Sequence, residues 1–358
     1  MTLELSPPRF TYDLRASRVA FGPGALRDLG TELAVLGARR VFVVSTKSRL
    51  AEVPPMNELL GERFAGVFDE AVEHVPAATV VAAQSALHQA DADFCLAIGG
   101  GSAIGLGKIL ARDAGKLLAA VPTTYSGSEM TAVWGMTDVH GKRTGRDPRV
   151  APRIVIYDPD LTLSLSPALS GASGMNAMAH AVEAMYAANA SPMALALAEE
   201  SARLLAASLP RVFANPHDHD ARSTALSGAH LAGRALDLAA MGLHHRICHV
   251  LGGLFGLPHA RTHAAVLPYV LAYNAPAARS AMLRLARSLE AYDSVTAIMH
   301  LCRTLGVARP LSELGLRKDD IDRAADEVTA SPYANPRPAT KEDVRGILLA
   351  AFYGDSLT

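Results

Sequence analysis

Cysteine is scarce: Cys95, Cys248 and Cys302 are the only three in 358 residues, odd in number and far apart. That excludes a disulfide framework and points to a reducing compartment, the cytoplasm. An excess of one charge is also missing, with 34 Lys and Arg against 35 Asp and Glu and a formal net charge of −1. Nothing basic is left over to hold nucleic acid or an anionic membrane surface. No apolar run is long enough to cross a bilayer. The opening stretch MTLELSPPRFTYDL has neither the basic nor the apolar region of a secretory signal, so export is not expected. Internal repeats and low-complexity segments are absent. What is present is apolar residues, 50% of the chain against 19% charged, enough for a large core. The length predicts two domains.

From VAFG (19–22) the chain alternates between strand-like and helix-like runs. A helix follows, opened by Gly22-Pro23-Gly24 and closed by Gly37. VFVVST (41–46), FCLAIGG (94–100), LLAAVPTT (117–124) and RIVIYDP (153–159) read as buried strands. Helices are expected over Met56 to Phe64, leading into GVF, and over Ala77 to Gln89. This alternation predicts a parallel, Rossmann-like sheet with helices on both faces. WGMTDVHGKRTGRDPRV, with Gly141 and Gly145 at turn positions, reads as a hairpin. Beyond Asp160 the strands stop, and Ala/Leu-rich stretches of helical period take over, with Pro167 near the first helix start. The reading is therefore an α/β dinucleotide-binding domain over 1–162 and an all-α domain over 163–358.

The densest chemistry lies in GLHHRICHVLGGLFGLPHARTH. Five of the 13 histidines fall there: His244, His245, His249, His259 and His263. Leu243 to Leu254 reads as a helix, on which His245 and His249 share a face. Gly256 and Pro258 break it before His259. Upstream, SGMNAMAHAVEAMY sets Asn176 and His180 four residues apart in the same way. Any one of these rings taken singly is equally well a hydrogen-bonded core or surface histidine. Five together without a purpose would be costly to bury.

Two loops follow strands in the α/β half. Gly99, Gly100, Gly101 and Ser102 form a strand–turn–helix start, where free N–H groups and the helix dipole favour phosphate. VPTTYSGSEMT offers hydroxyls at Thr123, Thr124, Ser126 and Ser128. Each alone is an ordinary tight turn. Both at the C-terminal ends of parallel strands point to nucleotide binding.

GGGSAIGLGK, VPTTYSGSE, YDPDL, SGMNAMAHAVEA and HxxxHxLG…PH together resemble the iron-containing (group III) alcohol dehydrogenase superfamily, over nearly the whole chain and in the family's order. GLHHRICHVLGG and NPRP (335–338) look like its maleylacetate reductase branch. The resemblance implies a dehydroquinate synthase-like fold with the site between the two domains, and a homodimer. It implies reduction of maleylacetate, a small dicarboxylate, to 3-oxoadipate with NADH or NADPH during aromatic compound degradation. By position, Gly99 to Ser102 would hold the pyrophosphate, and Thr123, Thr124, Ser126 and Ser128 would lie near ribose and nicotinamide. Metal-dependent members use an Asp and three His. The matching positions here are Asn176, His180, His245 and His259.

Asn176 stands where a carboxylate would anchor the ion, and the amide is a poorer, neutral ligand. With His244 and Arg246 beside the cluster, the expectation is a metal-free site. Many NAD-specific relatives carry an Asp after the second strand; Thr46 and Lys47 occupy that place, which leaves both cofactors open. His245 and His249 are expected to polarise the ketone, with one of them giving the proton, and His180 and His259 to orient substrate. Arg246, and less so Arg337, would clamp a carboxylate unless each faces elsewhere; Arg246 is about 100° round the helix from His245. Tyr125 would stack or bond near the nicotinamide, and His263 reads as structural. Two other readings stay open: a metal-dependent alcohol dehydrogenase, and an inactive nucleotide-binding or regulatory protein.

Overall fold

The computed structural model describes residues 10–13, 17–139 and 141–356; most of the opening stretch read above for export lies outside them, as does His140. Among the described residues eight strands are formed: β1 (Arg18–Phe21), β2 (Val41–Val44), β3 (Phe64–Phe68), β4 (Phe94–Gly99), β5 (Leu117–Pro122), β6 (Val133–Asp138), β7 (Gly141–Arg146) and β8 (Ile154–Tyr157). Six of them make a parallel sheet in the order β1-β8-β5-β4-β2-β3, while β6 and β7 form a separate antiparallel hairpin. Five helices accompany the sheet: α1 (Leu29–Val35), α2 (Lys47–Leu50), α3 (Met56–Leu60), α4 (Ala77–Gln89) and α5 (Gly101–Ala114).

The Val- and Leu-rich strand runs are buried because both faces are covered. Alternate residues point to opposite sides. Phe42, Val44, Cys95, Ala97 and Leu118 join Val80, Ala83 and Leu87 of α4 and Ile104 of α5 in one core. Val41, Val43, Phe94, Leu96, Ile98 and Ala119 join Leu29 and Leu33 of α1 and Met56 and Leu60 of α3 in the other. Each such fully buried aliphatic side chain contributes about 1.5–3 kcal/mol relative to exposure. One expected helix ends early. Gly61 adopts a positive φ of 57°, which stops α3 at Leu60, and Phe64 already opens β3.

The rest is helical: α6 (Pro167–Tyr186), α7 (Pro192–Ala214), α8 (His219–Leu238), α9 (Leu243–Phe255), α10 (His259–Asn274), α11 (Arg279–Ser288), α12 (Ser294–Thr304), α13 (Ile321–Thr329) and α14 (Lys341–Tyr353). A core of Ile247, Leu251, Val266, Val270, Ile321, Val328, Val344 and Leu348 joins α9, α10, α13 and α14. The compact units divide inside α6. One contains 16–173 with 211–226; the other contains 174–210 and the described chain from 227 onward. The packing units thus cross the single boundary expected at 162/163. No helix among the described residues is long and apolar enough to cross a membrane. All three cysteines are buried, and none is in a disulfide.

Candidate active site

Helices α6, α9 and α10 of the helical unit build the site. Helix α6 carries Asn176, His180 and Glu183 at i, i+4 and i+7, one stripe of a helix. All three are buried, Glu183 completely. Helix α9 begins at Gly242, which has no capping side chain. A Cβ there would sit 2.8 Å from Ala334 O and 3.3 Å from Glu183 Oε1, so only glycine lets the two helices meet. Glu183 supplies the missing cap. Its carboxylate accepts from the N–H of Gly242 (3.2 Å), His244 (2.9 Å) and His245 (3.4 Å), where the helix dipole favours an anion. It also contacts His245 Nδ1 at 2.5 Å.

Burial opposes the charge on Glu183. The His245 hydrogen bond, the neighbouring imidazoles and the His244 N–H outweigh it and hold the pKa below the ordinary carboxylate value. The reverse holds for the rings. Burial first, then the charges of His245, His259 and His244, keep His180 well below an ordinary imidazole. Burial pulls His244 down to about 3 and lowers His263 strongly as well.

The rings form one contiguous cluster. His180 stacks on His245 with 5.0 Å between centroids, and His249 meets His245 edge-on at 6.0 Å. His249 and His259 stack at 6.5 Å. His263 lies 4.4 Å from His259 and 4.9 Å from both His244 and His245. The structure thus brings together all the histidines expected, and His263 with them. Five buried polar atoms here have no hydrogen-bond partner: Asn176 Oδ1, His180 Nδ1, His244 Nδ1, His245 Nε2 and His263 Nε2. Buried groups of this kind normally find partners, so the cluster is built to receive a polar group.

Three residues expected at the substrate have other partners in this structure. Arg246 turns to α13, donating to Val328 O (3.3 Å) and Glu327 O (2.5 Å) and pairing with the Glu327 carboxylate at 3.6 Å. Its offset of about 100° from His245 on the helix explains this. Arg337 is an exposed loop residue, over the ring of Tyr273 at 4.1 Å and 3.6 Å from Asp343. Tyr125 is fully buried, its hydroxyl accepting from Arg222 Nη1 (3.1 Å) and donating to Thr162 (3.4 Å).

The α/β unit holds the expected loops. Gly99 has φ +147° and Gly100 caps α5 with no side chain, leaving first-turn N–H groups for an anion. A Cβ on Gly100 would stand 2.9 Å from Thr124 Cγ2, so glycine lets the two loops approach. Ser102, Thr124, Ser126 and Ser128 are half-buried; Thr123 is fully buried, its hydroxyl without a partner. Sequence reasoning missed what braces these loops. Lys108 Nζ donates to Ser128 O (2.6 Å), Thr131 Oγ1 (2.9 Å) and Val133 O (2.7 Å). Glu129, buried, accepts from the Tyr157 hydroxyl at 2.7 Å, and burial raises its pKa against that bond. At the end of β2, Thr46 caps α2 by accepting from Arg49 N, and exposed Lys47 lies 3.7 Å from Glu70.

Two family signatures cover most of the chain: "Iron-containing alcohol dehydrogenase" matches residues 16–159, and "Fe-containing alcohol dehydrogenase family, C-terminal" matches 170–352. The chain belongs to the iron-containing alcohol dehydrogenase family. Its fold and its oxidoreductase class follow from that membership. It is 46% identical over 346 residues to a maleylacetate reductase of Sphingobium indicum, covering 97% of this chain and 98% of that one. It is 47% identical over 341 residues to maleylacetate reductase 2 of Cupriavidus pinatubonensis, covering 94% and 95%. The crystal structure of maleylacetate reductase from Agrobacterium tumefaciens superposes with a TM-score of 0.91 at 41% identity, over 97% of this chain and 99% of that one.

Asn176 Oδ1, His180 Nδ1 and His245 Nε2 are partnerless buried donors of the kind an ion takes, and ring nitrogens of His244, His245 and His263 lie within 4.8 Å of one another. No carboxylate is among them. Glu183 is occupied by three backbone N–H groups and His245. Neutral imidazoles can hold a borderline ion such as zinc, whereas the Asn176 amide is a poorer ligand than a carboxylate for a harder one.

Proposed function

We propose that the chain reduces maleylacetate to 3-oxoadipate with NADH or NADPH, in aromatic compound degradation, and does so without a metal. The Glu183–His245 contact of 2.5 Å, with His245 Nε2 buried and partnerless, carries the reading. Kinship with maleylacetate reductases along nearly the full chain supports the substrate. The α/β half would hold the cofactor through Gly99, Gly100, Gly101, Ser102, Thr123, Thr124, Ser126 and Ser128, with Thr46 and Lys47 toward the ribose. The helical half would act on the substrate.

When bound, NADH or NADPH would supply the hydride for the alkene carbon β to the ketone, and the substrate would become an enolate. The protein has to stabilise that oxyanion and protonate the carbon next to the carbonyl. His245 suits both tasks better than His249. Its Nδ1 contacts the buried Glu183 carboxylate, which fixes the ring and leaves the buried, partnerless Nε2 to meet the substrate. His249 and His259, half-buried and stacked on each other, are suited to orient the substrate, with His180 against His245. We also infer a homodimer, by the family's habit, and a cytoplasmic protein with no nucleic-acid partner, consistent with a formal charge of −1 and three cysteines outside any disulfide.

The experiment is oxidation of NADH and NADPH by purified protein with maleylacetate, with and without chelator. Turnover insensitive to chelation is expected. Loss restored by Fe²⁺ or Zn²⁺ makes it metal-dependent instead, a reading the clustered ring nitrogens of His244, His245 and His263 favour. NADH binding without turnover indicates an inactive nucleotide-binding protein. His245→Ala is expected to lower kcat by about 10²–10⁴-fold. Asn176→Asp adds the missing carboxylate and is expected to raise divalent-metal content; unchanged content refutes the role given to that position.

A further inference from the structure

Burial alternates along the loop after β5. Thr123, Tyr125 and Gly127 are buried, while Thr124, Ser126 and Ser128, expected to face the cofactor, are half-buried. Both ends of this segment are tied. Thr123 N donates to Gly99 O at 3.0 Å, and Ser128 O accepts from Lys108 Nζ at 2.6 Å. The middle is tied through Tyr125, whose backbone N–H donates to Ser173 Oγ at 2.9 Å. Ser173 is buried on α6, opens the stretch SGMNAMAHAVEA and belongs to the same compact unit as the loop.

A buried backbone N–H needs an acceptor, and a serine hydroxyl supplies one on a short side chain. The far end of Tyr125 is fixed toward the same helix. Its hydroxyl accepts from Arg222 Nη1 at 3.1 Å, and that nitrogen also donates to Ser170 Oγ at 2.7 Å, one turn before Ser173. Tyr125 is thus held at backbone and phenol, and the alternation turns Thr124 and Ser126 outward. The Thr124 methyl meets the glycine turn: a Cβ on Gly100 would stand 2.9 Å from Thr124 Cγ2. Movement of Tyr125 away from Ser173 would carry Thr124 with it and disturb that close approach.

We propose that Ser173 is a positioning residue for the nicotinamide cofactor: by accepting from Tyr125 N–H it fixes Thr124, Ser126 and Ser128 in the orientation that meets the bound nucleotide. The proposal rests on reading this loop as part of the NADH or NADPH site.

The test uses the full chain, with nucleotide affinity from fluorescence titration and the two KM values from steady-state kinetics. Ser173→Ala leaves the Tyr125 N–H buried and unpaired, whereas Ser173→Thr keeps the acceptor. For Ser173→Ala the Kd and KM of NADH are expected to rise roughly 5- to 10-fold, the scale of one hydrogen bond. The KM for maleylacetate should stay within about twofold, and Ser173→Thr should recover most of the NADH affinity. Ser170→Ala is the control, since it takes an acceptor from Arg222 and not from the loop backbone. It is expected to lower Tm with the NADH Kd within about twofold. Ser173→Ala with lowered Tm but unchanged Kd overturns the positioning role, and so does an equal rise in Kd for Ser170→Ala. Should Ser173→Ala fail to fold, Ser173→Cys, with a weakly accepting thiol, takes its place under the same expectations. A wild type that binds neither nucleotide fails the cofactor reading itself. A wild type that binds NADH without turning over maleylacetate fails the substrate reading and leaves the Kd comparison decisive.

Discussion

The two units each bury a set of charged and polar side chains, and they treat them differently. In the α/β unit the buried groups are answered. Arg222, completely buried, donates to Pro216 O, Leu165 O, Ser170 Oγ and Tyr125 Oη, all neutral acceptors. Lys108 has three oxygen acceptors, and Glu129 has Tyr157. In the helical unit Glu183 is answered but the rings around it are not: five of the eight partnerless buried side-chain atoms among the described residues belong to this cluster. Satisfied burial builds a scaffold, while unsatisfied burial costs about 1–3 kcal/mol per group and persists where a ligand is to be met. The hydroxyls of Thr123 and Thr137 are the exceptions in the α/β unit, and Thr123 lies on the loop expected to face the cofactor.

Glu183 gives the sharpest test of that contrast, and the largest effect. Glu183→Gln keeps the volume but loses the charge that caps α9 and faces His245. A kcat loss of about 10²–10⁴-fold is expected, with lowered stability. Glu129→Gln, at a satisfied site, should lower Tm with kcat within about tenfold. Equal kcat losses in the two variants would erase the distinction.

Arg222→Met comes next, and it should act on stability instead. Four acceptors lose their donor, at about 1–3 kcal/mol for each group left unpaired. Denaturant unfolding should show several kcal/mol of destabilisation, while kcat per folded molecule changes little. A kcat loss larger than that of His245→Ala would place Arg222 in the catalytic machinery.

The pH dependence of stability separates the clusters by sign. Burial depresses His180, His244 and His263, so the unfolded chain binds more protons than the native one below an ordinary imidazole value of 6.5. Their stabilising effect is complete above 6.5 and is lost as pH falls toward the folded value, about 3 for His244. Glu183, depressed from 4.5, adds a loss in the same direction at lower pH. Glu129, raised from 4.5, works the other way and relieves strain on acidification. Denaturant midpoints from pH 8 to pH 4 should therefore fall, and replacing His244 or His263 by Phe should flatten the slope between 6.5 and 4. An unchanged slope would mean that these rings are charged in the native state.

The architecture was legible because periodicity carries it: strand runs of buried residues and helices beginning at Gly101, Pro167 and Leu243 need only local pattern. Spacing also placed Asn176 with His180 and His245 with His249. Glu183 escaped notice although it continues the same stripe at i+7, because a lone acid on a helix is ordinarily a solvent-facing residue. His263 was set aside although it shares a face with His259, since no spacing reveals that His244 approaches from another helix. The partners of Tyr125 were hidden for a similar reason: Arg222 and Thr162 lie 97 and 37 residues away. Direction on a helix was available for Arg246, where the turn of about 100° already favoured α13 over the substrate.

The smallest predicted effect belongs to the two arginines that the site leaves out. Arg246 satisfies backbone acceptors at Glu327 and Val328 and reaches the half-exposed Glu327 carboxylate at 3.6 Å. Arg337 stacks on Tyr273 in solvent. Surface pairs of this kind are worth about 0–1 kcal/mol. Arg246→Ala and Arg337→Ala should each leave kcat and the KM for maleylacetate within about twofold, with Arg246→Ala slightly less stable because two carbonyls lose a donor. A KM raised tenfold or more at unchanged kcat would show uniform binding of a substrate carboxylate. For Arg246 that would require the side chain to leave α13 when substrate binds, and it would move the boundary between scaffold and site by one turn of α9.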